Sequence, residues 1–455
     1  MYIGRKIDNE LLEWKNGYNR KPLLLRGARQ VGKSSTVRHL GETFKHYAEV
    51  NFEKRPELRS LFSQGNDVRE TAARLGGVLG VPIVPGSTLL FLDEIQSCPE
   101  AIKSLWFFKE DYPELHVVAA GSLLEFALKD TPSFGVGRIR SMFMYPLSFD
   151  EFLHAMGKDM WIEAKQQADC NKPLFDQLHN AIVQEFRIFL MVGGMPASVV
   201  TWMETHDYVQ CALEQQDIQQ TYYDDFAKYA PRIDPQLLRN TLQSVVMQVG
   251  RKFVYNRVEG GYRTEDVKQA LTMLCHAGII KEVRHTAANG LPLGAETNNK
   301  FRKFIYLDSG LMLRIQDLDL GGAQPVVQQI LGGTADELVN KGAITEMVAG
   351  WELVKAKSSH TNHELFYWQD LGDGTMSEVD YIITHNMKLL PIEVKAGTSG
   401  KMKSLRLFMQ KKGIKRAIRT SLENFGVITL SKGDADSRIE IVPLYALAQV
   451  TTLVQ

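Results

Sequence analysis

A glycine-bearing segment near the amino end carries residue types that bind phosphate. Residues 27–34 read GARQVGKS and match the pattern G-x-x-x-x-G-K-[ST], in which backbone N–H groups surround phosphate oxygens. Gly27 and Gly32 permit the tight turn. Lys33 supplies positive charge to the β- and γ-phosphates, and the Ser34 hydroxyl can ligate Mg²⁺. We therefore predict ATP and Mg²⁺ as ligands; an accidental glycine turn is the alternative. The predicted nucleotide-binding residues are Gly27, Ala28, Arg29, Gln30, Val31, Gly32, Lys33, Ser34 and Ser35.

Two adjacent carboxylates follow an apolar run further along the chain. Residues 87–96 read STLLFLDEIQ, which predicts a buried strand ending in Asp93 and Glu94. We expect Asp93 to hold Mg²⁺, directly or through water, and Glu94 to polarise the attacking water. Such a pair is also typical of a solvated strand end. Its place sixty positions after Lys33 in an α/β pattern favours the catalytic interpretation.

Two further side chains are candidates for contacts with the γ-phosphate. Ser122 follows the short apolar run HVVAAG and would be a polar sensor, with a plain helix N-cap as the alternative. Arg138 lies in the glycine-rich segment FGVGRIR and is preferred over Arg140 as an arginine finger. A surface arginine in a flexible loop is the alternative for Arg138.

A second set of acids lies near the carboxyl end. Asp380, twelve intervening residues and then Glu393-Val394-Lys395 fit the pattern D-x(n)-E-x-K of restriction-type nucleases. Two carboxylates at adjacent strand ends can hold Mg²⁺, while Lys395 positions or deprotonates water. Glu346 is a further candidate ligand. The alternatives are a nucleic-acid-binding or scaffolding relic and a structural salt bridge.

Regular elements must position these groups. The segment 21–42 predicts a strand, a turn and a helix, and 116–122 predicts another strand. Residues 336–353 predict an amphipathic helix that carries Glu346. Three predicted strands follow, at 365–368, 378–383 and 389–395.

The middle of the chain is predicted to be helical. Residues 177–229 form this region, with a break at Gly193-Gly194-Met195-Pro196, and a further helix spans 264–276 before a strand. This order suits a winged helix. Nine basic residues against five acids between 231 and 290 favour nucleic-acid contact weakly, with protein packing as the alternative.

Overall charge and composition restrict the function classes. Lys plus Arg equals Asp plus Glu at 53 each, so a nucleic-acid signal must be local. Residues 395–419 provide one, with nine basic residues and no acid, although a solvated helix is the alternative. The four cysteines lack metal-ligand spacing, and no segment approaches the ~20 apolar residues of a membrane span. We expect a cytoplasmic protein with free thiols and no membrane contact.

Several motifs together resemble one family. GARQVGKS, LLFLDEIQ, AAGSLL, GRIRSMFMYPLSFDEF, GGMP, FRKFIYLDSGL, EVDYII and PIEVKAG are similar to prokaryotic AAA-type ATPases fused to a C-terminal restriction-endonuclease-like domain, of the PD-(D/E)xK kind. The resemblance covers nearly the whole chain. It implies an ATPase core, a helical and winged-helix middle and a nuclease-like end, without fixing a biological role.

We therefore predict an α/β fold class. An AAA-like P-loop NTPase with a parallel sheet at 1–155 precedes a helical lid at 156–230, a winged-helix-like region at 231–330 and a restriction-endonuclease-like domain at 331–455. The predicted function is a Mg²⁺-dependent ATPase coupled to nuclease-like action on DNA, contacted through the winged-helix and C-terminal domains. The alternative is an ATP-regulated interaction protein with an inactive nuclease-like domain. Because Arg138 could act within or between chains, a homo-oligomer stays open.

Overall fold

Apolar runs bounded by glycine and proline form the strands of two separate sheets. The computed structural model describes residues 1–63, 67–121, 124, 137–229, 232–316, 341–370, 377–395, 402–429 and 437–450. Contacts between residues divide the chain into two compact units. Unit 1 comprises Met1–Pro146, His276–Ile279 and Ser358–Asn362, and unit 2 comprises Leu147–Cys275, Ile280–Lys357 and His363–Gln455.

The sheet of unit 1 is parallel throughout. Its strands are β1 (Leu23–Arg26), β2 (His46–Asn51), β3 (Thr88–Asp93), β4 (His116–Gly121) and β5 (Arg140–Phe143). They lie in the order β2-β3-β4-β1-β5. Every residue of β3 and β4 is buried, as expected for a parallel sheet covered on both faces.

Helices pack against this sheet through apolar stripes. They are α1 (Lys6–Asn16), α2 (Lys33–Gly41), α3 (Ser60–Ser63), α4 (Val68–Leu79) and α5 (Pro99–Asp111), with 3₁₀ turns at Pro56–Arg59 and Ile95–Ser97. Leu75 of α4 and Leu105 of α5 are fully buried in one core with Leu90 and Leu92 of β3. This core holds β3 in place, and with it the carboxylates at its end.

Unit 2 begins with helices. These are α6 (Phe149–Ala155), α7 (Asp159–Gln167), α8 (Asp176–Val192), α9 (Pro196–Thr205), α10 (Tyr208–Phe226), α11 (Pro235–Met247), α12 (Thr264–His276), α13 (Ser309–Ile315), α14 (Lys341–Lys355) and α15 (Lys403–Lys412). Shorter 3₁₀ helices occupy Ala227–Tyr229, Tyr255–Arg257, Leu293–Glu296 and Leu444–Gln449. Ser148 caps α6, because its hydroxyl accepts from the Glu151 N–H while the Glu151 carboxylate accepts from the Ser148 N–H.

A mixed sheet of eight strands completes unit 2. The strands are β6 (Ile280–Thr286), β7 (Thr297–Tyr306), β8 (Leu365–Gln369), β9 (Glu378–His385), β10 (Lys388–Val394), β11 (Arg416–Ser421), β12 (Gly426–Thr429) and β13 (Arg438–Pro443). Their order is β12-β13-β11-β10-β9-β8-β6-β7. The β6–β7 hairpin joins the later strands through parallel pairing of β6 with β8. The hairpin and the carboxyl-terminal strands therefore share one sheet.

The structure confirms most predicted elements. The helix at 264–276, the strands near 88–93 and 116–121, and the three carboxyl-terminal strands lie where the sequence predicted them. The predicted helix at 336–353 is observed as Lys341–Lys355, and residues 336–340 lie outside the described ranges. The division at 155, 230 and 330 stays a prediction.

Two further sequence expectations concern cysteines and membrane spans. All four cysteines are free thiols, and Cys98 and Cys211 are buried. Across the part of the chain that the structure describes, no helix combines the length and apolar character needed to cross a membrane.

A buried aspartate links two segments of unit 2. Asp308 caps α13 by accepting from the Leu311 N–H at 3.1 Å, and it also accepts from the Gly194 N–H at 2.6 Å. At Gly193, φ is +73°, and an added Cβ would lie 2.2 Å from Asp308 Oδ1. This close approach explains why glycine stands in the Gly193-Gly194-Met195-Pro196 break.

Replacing Asp308 by alanine should destabilise unit 2 by about 2–4 kcal/mol, because the Gly194 N–H would be left buried without an acceptor and α13 would lose its cap. The shift of the urea unfolding midpoint measures this effect. Asp234→Ala is the matched control, since Asp234 caps α11 at an exposed position, and its loss should cost about 1 kcal/mol. Equal shifts for the two variants would contradict the tertiary role of Asp308.

Candidate nucleotide-binding site and carboxylate cluster

The turn between β1 and α2 needs glycine at two positions. Gly27 has φ of +152°, and an added Cβ would lie 2.2 Å from the Met144 carbonyl oxygen. Gly32, directly before α2, has φ of +99°. These conformations exclude ordinary side chains, so the two glycines of the motif are explained by the backbone itself. The turn leads into the amino end of α2, where unpaired N–H groups and the helix dipole favour an anion.

The Lys33 side chain folds back onto this turn. Its Nζ donates to the carbonyl oxygens of Gly27 at 2.9 Å and Ala28 at 2.7 Å. Burial lowers the pKa of Lys33 to about 8, although the neighbouring Glu94 and Asp93 oppose the shift. A triphosphate would supply charged acceptors for the same ammonium group, which are stronger than neutral carbonyls.

Ser34 and Asp93 meet at the other side of the turn. The Ser34 hydroxyl donates to the two Asp93 carboxylate oxygens at 3.1 and 3.0 Å. Burial, and then the charge of Glu94, raises the pKa of Asp93. A Mg²⁺ ion binds oxygen at about 2.0–2.1 Å, so an ion between these two side chains fits their short separation.

Asn51 is a member of this site that the sequence did not reveal. It lies opposite Asp93 in the β2–β3 register, and its Nδ2 donates to Asp93 Oδ2 at 3.0 Å. Its Oδ1 accepts from the N–H groups of Glu53 and Lys54, which fixes the amide orientation. The Asp93 carboxylate is therefore oriented from two sides. Only the strand pairing brings Asn51 to this place, so no local motif could signal it.

Glu94 stands in a constrained position after β3. Its backbone is left-handed, with φ of +49°, and Gln96 Nε2 donates to its Oε2 at 2.6 Å. Gln96 in turn packs against the end of β4, where a Cβ on Gly121 would lie 2.1 Å from Gln96 Oε1. The carboxylate of Glu94 is thus oriented next to Asp93, which suits a group that would orient water.

Other predicted residues of this site lie in different surroundings. Arg138 Nε donates to Glu110 Oε1 at 2.8 Å, so its interpretation as an arginine finger stays a prediction. Ser122 lies outside the described residues. An Arg29 guanidinium nitrogen lies 3.5 Å from Glu53 Oε1. Ala28 and Val31 are buried, whereas Gln30 and Ser35 are exposed.

The carboxyl-terminal acids come together in unit 2. Asp380 lies on β9 and Glu393 on the adjacent β10, and the Val394 N–H donates to Asp380 Oδ2 at 2.7 Å. Burial, and then the charges of Glu346 and Glu393, raises the pKa of Asp380 well above its ordinary value. Lys395 Nζ donates to Glu393 Oε1 at 2.5 Å. We call Glu346, Glu378, Asp380 and Glu393 the carboxylate cluster.

Lys303, on β7, is a cation in this cluster that sequence reasoning missed. Its side chain is 1% exposed, and its Nζ donates to Glu346 Oε1 at 3.1 Å and also to Glu378 Oε1. Burial lowers the pKa of Lys303, but the charges of Glu346 and Glu378 outweigh burial and raise it overall. A buried ammonium is stable when it is paired in this way.

The predicted metal ligands of this cluster are Glu346, Asp380 and Glu393. Among the residues that the structure describes, no three His, Cys, Asp or Glu side chains are grouped so as to hold a metal ion. Glu346 is engaged by Lys303, and Asp380 by a backbone N–H. The structure therefore brings the three acids into one region without forming the ligand set, and this metal site stays a prediction.

The basic stretch at 395–419 is partly neutralised. Lys411 Nζ lies 2.5 Å from Asp370 Oδ2, Arg416 pairs with Glu440 at 2.9 Å, and Arg419 pairs with Glu423 at 3.2 Å. Such pairs reduce the positive charge available for a phosphate backbone. The acids in these pairs lie outside the stretch, and contact of residues 395–419 with DNA stays a prediction.

Known families match separate segments of the chain. The AAA domain matches residues 19–153, and two domains of unknown function, DUF8612 and DUF4143, match residues 183–321 and 341–447. No curated protein matches the chain. The glycine turn, the Ser34–Asp93 contact and the AAA-domain match define residues 19–153 as an AAA-type P-loop ATPase domain.

Solved structures resemble the chain distantly. The Walker-type ATPase of Pyrococcus abyssi is 15% identical, with 69% of this chain and 96% of that chain covered, at a TM-score of 0.45. The Orc1 protein of Aeropyrum pernix in complex with DNA is 13% identical, with 69% and 91% covered, at 0.27. A signal transduction ATPase with numerous domains from Pyrococcus horikoshii is 10% identical, with 77% and 45% covered, at 0.27. At TM-scores below 0.5, these likenesses establish neither function nor partner.

ATP affinity should fall as pH rises through about 8, because burial lowers the pKa of Lys33 to about 8 and the neutral amine no longer attracts phosphate. Below that pH the charge is present and binding is strongest. Titration of a fluorescent ATP analogue between pH 7 and 9.5 measures the dissociation constant. Lys33→Arg is the control, since arginine stays charged throughout. An affinity that falls equally in both proteins would assign the pH dependence to another group.

Proposed function

We propose that the chain is a Mg²⁺-dependent ATPase that couples ATP hydrolysis to a nuclease-like carboxyl-terminal domain acting on DNA. The observation that carries the ATPase half is the meeting of Ser34 with Asp93 beside the glycine turn, at 3.0–3.1 Å. The AAA-domain match over residues 19–153 supports it. The nuclease half rests on the carboxylate cluster and the D-x(n)-E-x-K pattern.

Each residue of the ATP site has a distinct role in this proposal. Lys33 would neutralise the β- and γ-phosphates, and Ser34 with Asp93 would hold the Mg²⁺ ion. Bound Mg²⁺ supplies charge stabilisation to the transferring phosphoryl group. Glu94 would orient the attacking water and accept its proton, while Gln96 keeps that carboxylate in place.

The carboxyl-terminal strands support action on DNA through their order. Helix α14 carries Glu346, β8, β9 and β10 form an antiparallel meander, and α15 crosses over to β11, which is parallel to β10. This order places Asp380 and Glu393 on adjacent strands with Lys395 directly after β10. These are the groups that a Mg²⁺-dependent phosphodiesterase needs at one sheet edge.

A second candidate function is an ATP-regulated interaction protein whose nuclease-like domain is inactive. The placement of Lys303 favours it, because the ammonium group engages Glu346 and Glu378 where a metal ion would otherwise neutralise the acids. In this candidate, ATP binding would switch the affinity for a protein partner while DNA stays intact.

The ATPase half predicts separable effects of two substitutions. Lys33→Ala should weaken ATP binding about ten- to a hundred-fold, since it removes a charged contact. Glu94→Gln should leave ATP binding intact and slow hydrolysis about 10²- to 10⁴-fold. Phosphate release and nucleotide binding are the measurements, with exposed Lys45→Ala as the matched control. Hydrolysis that survives Glu94→Gln would remove Glu94 from the mechanism.

The nuclease half predicts Mg²⁺- and ATP-dependent cleavage of DNA that falls to background in Asp380→Ala and Glu393→Ala. Glu364→Ala is the control, because this exposed acid lies before β8 and pairs with Arg284 instead. Gel assays on duplex and single-stranded DNA measure cleavage. DNA that stays intact under all conditions, with ATP hydrolysis preserved, would reject this half and favour the second candidate.

A further inference from the structure

We infer that the ammonium group of Lys303 is the resident cation of the carboxylate cluster and takes the charge-neutralising place of a divalent metal ion there. The inference rests on the second candidate function and names the group that neutralises the acids of the inactive domain. It assigns a role to a lysine that lies outside the D-x(n)-E-x-K pattern, on the hairpin that pairs with β8.

The position of Lys303 is fixed by the sheet. Strand β7 pairs with β6, and Lys303 lies opposite Val283 in that register. The side chain is 1% exposed, and its Nζ lies 4.9 Å from the centre of the Tyr367 ring. Because the side chain is buried beside this ring, the charge of the ammonium group must be balanced by the acids that it contacts.

The charges of the cluster show why a cation is needed. Four carboxylates face two ammonium groups, those of Lys303 and Lys395. Lys395 Nζ donates to Glu393 at 2.5 Å, whereas Lys303 donates to both Glu346 and Glu378. Among the residues that the structure describes, Lys303 is the ammonium partner of Glu346 and Glu378, and Asp380 accepts from the Val394 N–H. Like charges that are buried together repel strongly unless a cation or a proton compensates them.

An ammonium group and a metal ion compete for the same oxygens. Glu346 Oε1 and Glu378 Oε1 both accept from Lys303 Nζ, so those lone pairs are not available to an ion. Glu393 Oε2 is buried and has no hydrogen-bond partner among the described residues, and Glu393 is 5% exposed. This oxygen is the position at which an ion would gain its first ligand if Lys303 were removed.

The test uses the full-length, nucleotide-free protein and Mn²⁺ as the probe. Lys303→Met should lower the thermal unfolding midpoint by roughly 5–15 °C, because it leaves buried carboxylates unpaired. Mn²⁺ should restore part of that loss and bind at about one site per chain, measured by electron paramagnetic resonance. The wild-type protein should show no Mn²⁺ binding that depends on Glu393. Lys300→Met, on the same strand but exposed, is the matched control and should behave as wild type.

Two further variants keep the inference testable if Lys303→Met does not fold. The double variant Lys303→Met with Glu378→Gln removes one charge of each sign and should be more stable than Lys303→Met. The variant Lys303→Arg should keep the wild-type stability and should not gain a Mn²⁺ site. Wild-type Mn²⁺ binding that is lost in Glu393→Gln would overturn the inference. A Lys303→Met protein with the same thermal unfolding midpoint as Lys300→Met would also overturn the inference. The measurements need neither ATP nor DNA, so ATP hydrolysis and DNA cleavage are judged by their own assays.

Discussion

The hydrogen bond between the Ser34 hydroxyl and the Asp93 carboxylate joins the two segments on which the nucleotide site depends. Ser34 lies in the first turn of helix α2 and Asp93 ends strand β3, so the contact links the segment that follows β1 to the end of β3. Asn51 enforces that arrangement from the neighbouring strand. The arrangement of the candidate metal- and phosphate-binding residues therefore follows from strand order, which in turn follows from buried apolar runs.

Local patterns in the sequence were sufficient for several of the helices and strands and for the phosphate-binding turn. The apolar run before Asp93 and the helix at 264–276 could be predicted because each depends on residues close in sequence. Gly27 and Gly32 could be predicted for a similar reason, since their backbone conformations are required within a single turn. The AAA-domain match agrees with the class that these motifs indicated.

Partners brought in by distant segments could not be predicted. Asn51 reaches Asp93 through strand pairing, and Lys303 reaches Glu346 and Glu378 across 43 and 75 positions of the chain. Nothing in the neighbourhood of either residue signals its partner. Two acidic partners of the basic stretch at 395–419 could not be predicted for the same reason, because Asp370 follows β8 and Glu440 lies on β13.

The pairing of β6 with β8 has a consequence for how the protein can be divided. The boundary between the two domains of unknown function falls between residues 321 and 341, after the first two strands and before the other six strands of a single sheet. A fragment that begins after this boundary would expose the bare edge of β8, a template for strand-to-strand aggregation. In such a fragment, the carboxylate cluster would also lack Lys303. The two segments should therefore be expressed together.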